Sequence, residues 1–234
     1  MATNRTLQDV INWASLYVAS RPLVGQGGYV GEPATSIANN VLGVILGPPF
    51  AWRWNRSNYS FPTVVGTQIY SQTASTVWWI EQATVSDGTT IWPLQVRLLI
   101  NDSLDAGRPE FISIETDDNA GNVTYKVYPI PDKIYTIKIT FQKVPTLFTS
   151  LTSTWAPIPD EYQYIYNSGF LAWCLESTGD VRFQYEYEKF MRSLVSAADG
   201  LTETQKTLFL KEKLLEMDNQ ISATSRAQNP DRGM

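Results

Sequence analysis

Apolar positions change their period twice along the chain. From Thr6, the residues Leu7, Val10, Ile11, Ala14, Tyr17 and Val18 recur at the spacing of one helix face, and Thr6 with Asp9 reads as a capping box. Arg21-Pro22 ends that helix and the Gly25–Gly28 run forms a loop. A second helix starts near Pro33, places Ile37, Val41, Val44 and Ile45 on one face, and stops at Gly47-Pro48-Pro49. The next hundred residues switch to period two. Tyr135, Ile137, Ile139 and Phe141 alternate with Thr136, Lys138 and Thr140, and Val123, Tyr125 and Val127 do the same. Phe111 to Ile114 leads into Asp117-Asp118-Asn119-Ala120-Gly121, a hairpin turn sequence. Val64–Tyr70 and Val77–Thr84 also suit strands. Trp92–Asn101 is ambiguous, because Leu94, Leu98 and Leu99 fit a helix turn as well.

Helical spacing then returns. Pro157-Ile158-Pro159-Asp160 opens a segment whose Tyr162, Ile165, Tyr166, Gly169, Phe170, Trp173 and Cys174 make one broad apolar face. Thr178-Gly179-Asp180 breaks it. A second segment follows from about Val181 to Ala198 with Phe183, Tyr187, Phe190, Met191 and Leu194 inward, and a more charged third covers Leu201–Gln220. Residues 221–234 hold little apolar content and are expected to be extended or disordered alone. The pattern predicts an α+β chain. Residues 1–50 and 156–220 form a helical bundle, residues 51–155 an inserted antiparallel β-sandwich or barrel-like module, and residues 221–234 a tail.

Composition narrows the chemistry. The 234 residues include no histidine and one cysteine, Cys174. Histidine metal sites, Ser-His-Asp triads, Cys-His dyads, internal disulfides and thiolate zinc clusters are therefore excluded. Eighteen basic residues against twenty-three acidic give a net charge of −5, and no region carries the basic excess that gripping DNA requires. Met1–Thr6 moves straight into an amphipathic pattern without an apolar signal core, and the longest apolar stretch, Val41–Leu46, is far too short to span a bilayer. A soluble product of a reducing compartment is expected, with the sequons at Asn4, Asn55, Asn58, Asn101 and Asn122 arising by chance.

The remaining candidates have plain structural readings. Asp117-Asp118-Asn119 lacks the ligand spacing of a calcium loop and suffices as a turn. Glu81, Asp87, Glu110 and Glu115 could supply a carboxylate pair for glycoside hydrolysis, but nothing in the sequence singles a pair out. No Gly-rich loop is followed by Lys-Ser or Lys-Thr. Cys174 on an inner helix face reads as a small hydrophobe. Trp52, Trp54, Trp78, Trp79 and Trp92 lie in or near the β region, where exposed rings would stack on sugars or mark a protein interface. Neither a cofactor nor an enzymatic activity is expected.

Several segments carry a likeness. Gly107-Arg108-Pro109-Glu110-Phe111-Ile112, the Tyr125–Pro131 run leading to Tyr135–Ile139, Val144-Pro145, Ile158-Pro159-Asp160-Glu161-Tyr162 and Trp52-x-Trp54 together resemble the head–tail adaptor (connector) proteins of tailed bacteriophages, the group that includes podovirus tail tubular protein A. The resemblance covers about residues 6 to 200. It implies a structural virion protein, made in the host cytoplasm, that forms a ring, twelvefold if it matches the portal. Its partners would be the portal, neighbouring copies and a downstream tail or nozzle protein, with DNA passing through an acidic channel without specific binding and no membrane involved. It implies portal contacts from the tail, for which Ile221, Arg226 and Arg232 are the candidates, and inter-subunit or tail contacts for Trp52, Trp54, Trp78 and Trp79. The alternative is a carbohydrate-binding β module of a phage or bacterial surface protein, stacking sugars on its Trp residues.

Overall fold

The computed structural model describes residues 5–18, 32–73, 77–100, 104–117, 122–198, 200–213 and 215. In chain order the elements are α1 (Leu7–Ala14), α2 (Ala34–Leu46), a 3-10 turn at Arg53–Asn55, then β1 (Arg56–Pro62), β2 (Ile69–Thr73), β3 (Val77–Ser86), β4 (Ile91–Val96), β5 (Ala106–Gly107), β6 (Phe111–Asp117), β7 (Asn122–Tyr128), β8 (Ile130–Pro131) and β9 (Thr136–Lys143). A 3-10 turn at Asp160–Tyr162 precedes α3 (Gln163–Thr178) and α4 (Phe183–Ala197), and α5 covers residues 203–213. The chain divides into two compact units, one from Met1–Phe50 with Thr146–Met234, the other from Ala51–Pro145.

The first unit is knitted from both sides of the insertion. Thr6 caps α1: its hydroxyl accepts from the Asp9 N–H, and its own N–H donates back to the Asp9 carboxylate at 2.9 Å. The same turn is tied to the far segment by Leu7 N–H to the Ser153 carbonyl (2.9 Å) and Trp155 N–H to the Arg5 carbonyl (3.0 Å). Asn39 of α2 holds both main-chain groups of Phe148, at 2.7 and 3.1 Å. Helix α3 is buried nearly all round and touches α1, α2 and α4. Its end is built by Gly179, whose φ of 68° is the left-handed conformation that only glycine adopts without strain. Helix α5 opens with a Thr202/Gln205 capping box and lays Phe209 edge-on against Phe50, 5.2 Å between ring centres.

The second unit holds a seven-stranded sheet in the order β1-β9-β3-β4-β6-β7-β2 and a two-stranded one of β5 and β8; the larger sheet sets the shape of the unit. It curls into a half-barrel. Phe61 of β1 and Tyr70 of β2, at opposite ends of the strand order, meet with ring centres 5.3 Å apart, and Phe61 also stacks on Tyr125. Inside lie Val85, Leu94, Ile112, Val123, Val127, Ile137 and Ile139, the inward half of each alternation.

Two expectations need correction. The module is mixed rather than antiparallel, because β4 and β6 pair parallel (Gln95↔Phe111, Val96↔Ile112) and β5 pairs parallel with β8. Alternation reports which face of a strand is buried and carries no information on strand direction. Residues 64–68 are loop, and the strand begins only at Ile69. The Tyr70 hydroxyl donates to the Thr67 carbonyl at 2.6 Å and accepts from the Val64 N–H, holding the loop closed. The ambiguous Trp92–Asn101 stretch is strand through Val96 and irregular after it. Gly25–Gly28 and the turn at 118–121 lie outside the described residues.

Candidate interaction surfaces

The Trp residues singled out in the sequence occupy three different settings. Trp52 is a core residue, 1% exposed, so it offers no ring to a partner. Its main chain is gripped by buried Gln142, whose side-chain oxygen accepts from the Trp52 N–H (3.2 Å) and whose amide donates to the Trp52 carbonyl (3.3 Å). The Gln142 amide also donates to Glu81, which pairs with Arg56. Trp54 stacks on Trp52 with ring centres 5.2 Å apart.

Trp78 and Trp79 sit where β3 is irregular. Register slips between Val77 and Trp79 and again between Ile80 and Gln82, and both rings are half-buried. Strand β4 pairs only with Ala83–Ser86, which leaves the Val77–Gln82 half of β3 bounded by β9 alone among the described residues. The Trp79 indole N–H is buried there without a hydrogen-bond partner among the described residues. Trp92 is covered on one face by the Arg108 guanidinium, 4.7 Å from the ring centre. The candidate portal residues Ile221, Arg226 and Arg232 lie outside the described residues.

The parallel β4–β6 pair creates a surface that the periodicity did not reveal. Parallel neighbours need a crossover, which here runs through residues 97–110, with no helix among its described residues. The segment is pinned at several points. Arg97 donates its N–H to the Ile112 carbonyl (2.9 Å) and lies 3.6 Å over the Phe111 ring; Ile100 is buried. The Tyr128 hydroxyl donates to the Asp105 carboxylate (2.6 Å), and Ile130 N–H donates to the Asp105 carbonyl. Leu98, Leu99 and Leu104 are left 89%, 76% and 94% exposed. The sequence signal was the Leu98-Leu99-Ile100 run inside a turn-rich stretch, obscured by its fit to a helix turn.

A second apolar group stands at the joined β1–β2 and β8–β9 turns. Val64, Val65 and Ile134 are each more than half exposed. Thr63 N–H to the Tyr135 carbonyl (2.7 Å) and Gly66 N–H to the Pro131 carbonyl (3.0 Å) hold the two turns together. Beside them Lys133 donates to Asp87 at 3.1 Å. Main-chain N–H groups of Thr90 and Thr89, with Lys133, hold the Asp87 carboxyl down at about 2. Burial, helped by the bond to Asp132, pushes the Tyr135 hydroxyl up to about 12.

Burial pushes the Cys174 thiol up to about 12, so it stays protonated and inert. No group of metal-ligating side chains occurs among the described residues, and no helix among them is long and apolar enough to cross a membrane. A family model described as SU10 adaptor protein matches residues 5–208, a span that includes the whole of the β unit and most of the helical one. No curated protein matches the chain.

Proposed function

The chain belongs to the SU10 adaptor protein family of phage adaptors, and from that membership we propose that it is a structural, non-enzymatic virion protein that forms a ring between the portal and the tail and lines the DNA exit channel. The observation that carries the reading is the family match itself, running from α1 into α5. The likeness to podovirus tail tubular protein A, twelvefold symmetry matching a portal, and a helical bundle drawn from both chain ends are the finer parts of the same reading. The half-barrel bears features that suit protein contacts: a pinned segment with three exposed leucines, and a half-open β3 edge at Trp78 and Trp79.

In this reading the ring assembles by added contacts. Residues 221–234 order on a portal cleft through Ile221, Arg226 and Arg232, which makes attachment depend on a completed portal. Net acidic charge keeps DNA from adhering to the channel wall. The partners are the portal, neighbouring copies and the next tail protein.

Native mass spectrometry of the full chain, alone and mixed with the portal protein of the same phage, tests the reading. A ring of copies matching the portal symmetry is expected in the mixture. Deleting residues 221–234 is expected to abolish attachment while leaving thermal unfolding nearly unchanged. A wild-type chain that ignores the portal overturns the adaptor reading, and normal attachment of the deletion variant overturns the role of the tail.

A further inference from the structure

Two buried polar groups in the helical unit meet without satisfying each other. Trp155 and Tyr166 are both 0% exposed, and their rings stack with centres 4.5 Å apart and planes 8° from parallel. Neither the Trp155 indole N–H nor the Tyr166 hydroxyl has a hydrogen-bond partner among the described residues. A buried polar group left unpaired keeps the whole penalty of leaving water. Two of them on stacked rings call for a partner.

The surroundings close the spot and keep it polar. Phe148 packs edge-on against Trp155, 4.8 Å between ring centres, and is itself held by Asn39. The Trp155 main chain is engaged elsewhere, donating to the Arg5 carbonyl at 3.0 Å and accepting from the Ile158 N–H at 2.9 Å. The Arg5 N–H in turn donates to the Asp160 carboxylate at 3.2 Å. After burial, the Asp160 carboxylate raises the Tyr166 hydroxyl most, with Arg5 acting against it and Asp9 with it. These charges lie within electrostatic reach of the hydroxyl.

The donor set selects the occupant. An indole N–H only donates, so the occupant must accept, which excludes a cation. Two carboxylates against one guanidinium disfavour an anion. Water fits, since it accepts and donates, and internal waters serve buried polar groups in this way.

We propose that an ordered water molecule is bound at Trp155 and Tyr166, accepting from the indole N–H and hydrogen-bonded to the Tyr166 hydroxyl. The site lies where the start of α1, residues 153–160 and α3 converge, so the water helps to join segments from opposite sides of the insertion. The proposal stands apart from the adaptor reading.

A crystal structure of the full-length chain, at a resolution that shows internal waters, is expected to place a density peak within hydrogen-bond distance of both the Trp155 Nε1 and the Tyr166 Oη. A map that shows other internal waters and none here overturns the proposal. Tyr166→Phe gives a second readout, decided by its sign. The substitution keeps the ring and its stacking, so lost packing does not enter. Removing a hydroxyl that serves a bound water leaves that water short of a partner, and the urea midpoint should fall at unchanged slope. Removing a hydroxyl that serves nothing relieves a penalty, and a midpoint equal to wild type or higher overturns the proposal. Portal attachment tests the adaptor reading separately and moves with neither result.

Discussion

Gly169 shows how tightly single positions are set in the helical unit. A Cβ at this point of α3 would lie 2.8 Å from both the Phe190 ring and the Val41 side chain, closer than real Cβ atoms approach their neighbours. Alanine would gain up to about 1 kcal/mol of helix propensity, but forcing a methyl into a packed seam costs about 1–3 kcal/mol. The steric effect wins. Gly169→Ala is expected to lower unfolding stability by about 1–2 kcal/mol, read as a lower urea midpoint at unchanged slope. A midpoint equal to wild type would show that α2 and α4 give way freely. In the sequence Gly169 was visible only as a member of an apolar face. Its role is a packing fact, set by which helices cross there.

At the scale of elements, the α3–α4 turn is the clearest case of local chemistry fixing geometry. Gly179 ends α3, and Asp180 accepts from the Arg182 N–H at 2.9 Å and from its guanidinium at 2.7 Å. The Arg182 side-chain bonds and then its main-chain bond hold the Asp180 carboxyl at about 2, below its ordinary 3.8. A depressed carboxylate contributes stability that is complete above its unfolded value and is lost as pH falls through the folded one. Urea midpoints are therefore expected to fall between about pH 4 and pH 2, and Asp180→Asn to flatten that limb by its share while Asp87 keeps its own. An acid limb identical in the variant would show that this pairing adds nothing to stability.

Elements whose signal is local were legible. The capping box at Thr6, the break at Gly179 and the strands β7 and β9 stand where the sequence placed them, although Lys126 and Thr140, on the polar side of the alternation, are buried as well. Elements defined by distant partners were not. The two-residue strands β5 and β8 exist only because they pair with each other, and the direction of β4 against β6 depends on a crossover that leaves no periodic trace. The exposed leucines were missed for the same reason: an apolar run reads as core until the fold shows which of its members is covered.

On the scale of the whole molecule, the β unit leaves and rejoins the helical one through neighbouring strands. Arg56 at the start of β1 pairs with Gln142 near the end of β9, and the Asn55 amide donates to the Lys143 carbonyl at 3.1 Å. The helical unit in turn depends on contacts made across the whole insertion, such as Asn39 with Phe148 and Leu7 with Ser153. Closing a flexible loop as long as residues 51–145 costs about 4 kcal/mol of chain entropy. Once β1 and β9 have zipped, that loop is already closed, and residues 50 and 146 are delivered to each other. We therefore expect the inserted unit, once folded, to act as an entropic clasp for the helices. Pulsed hydrogen exchange during refolding should protect β9 amides before those of α2 and α3; the reverse order would show that the helices find each other without it. A mutation weakening the β1–β9 seam would then slow helical folding at residues it never touches.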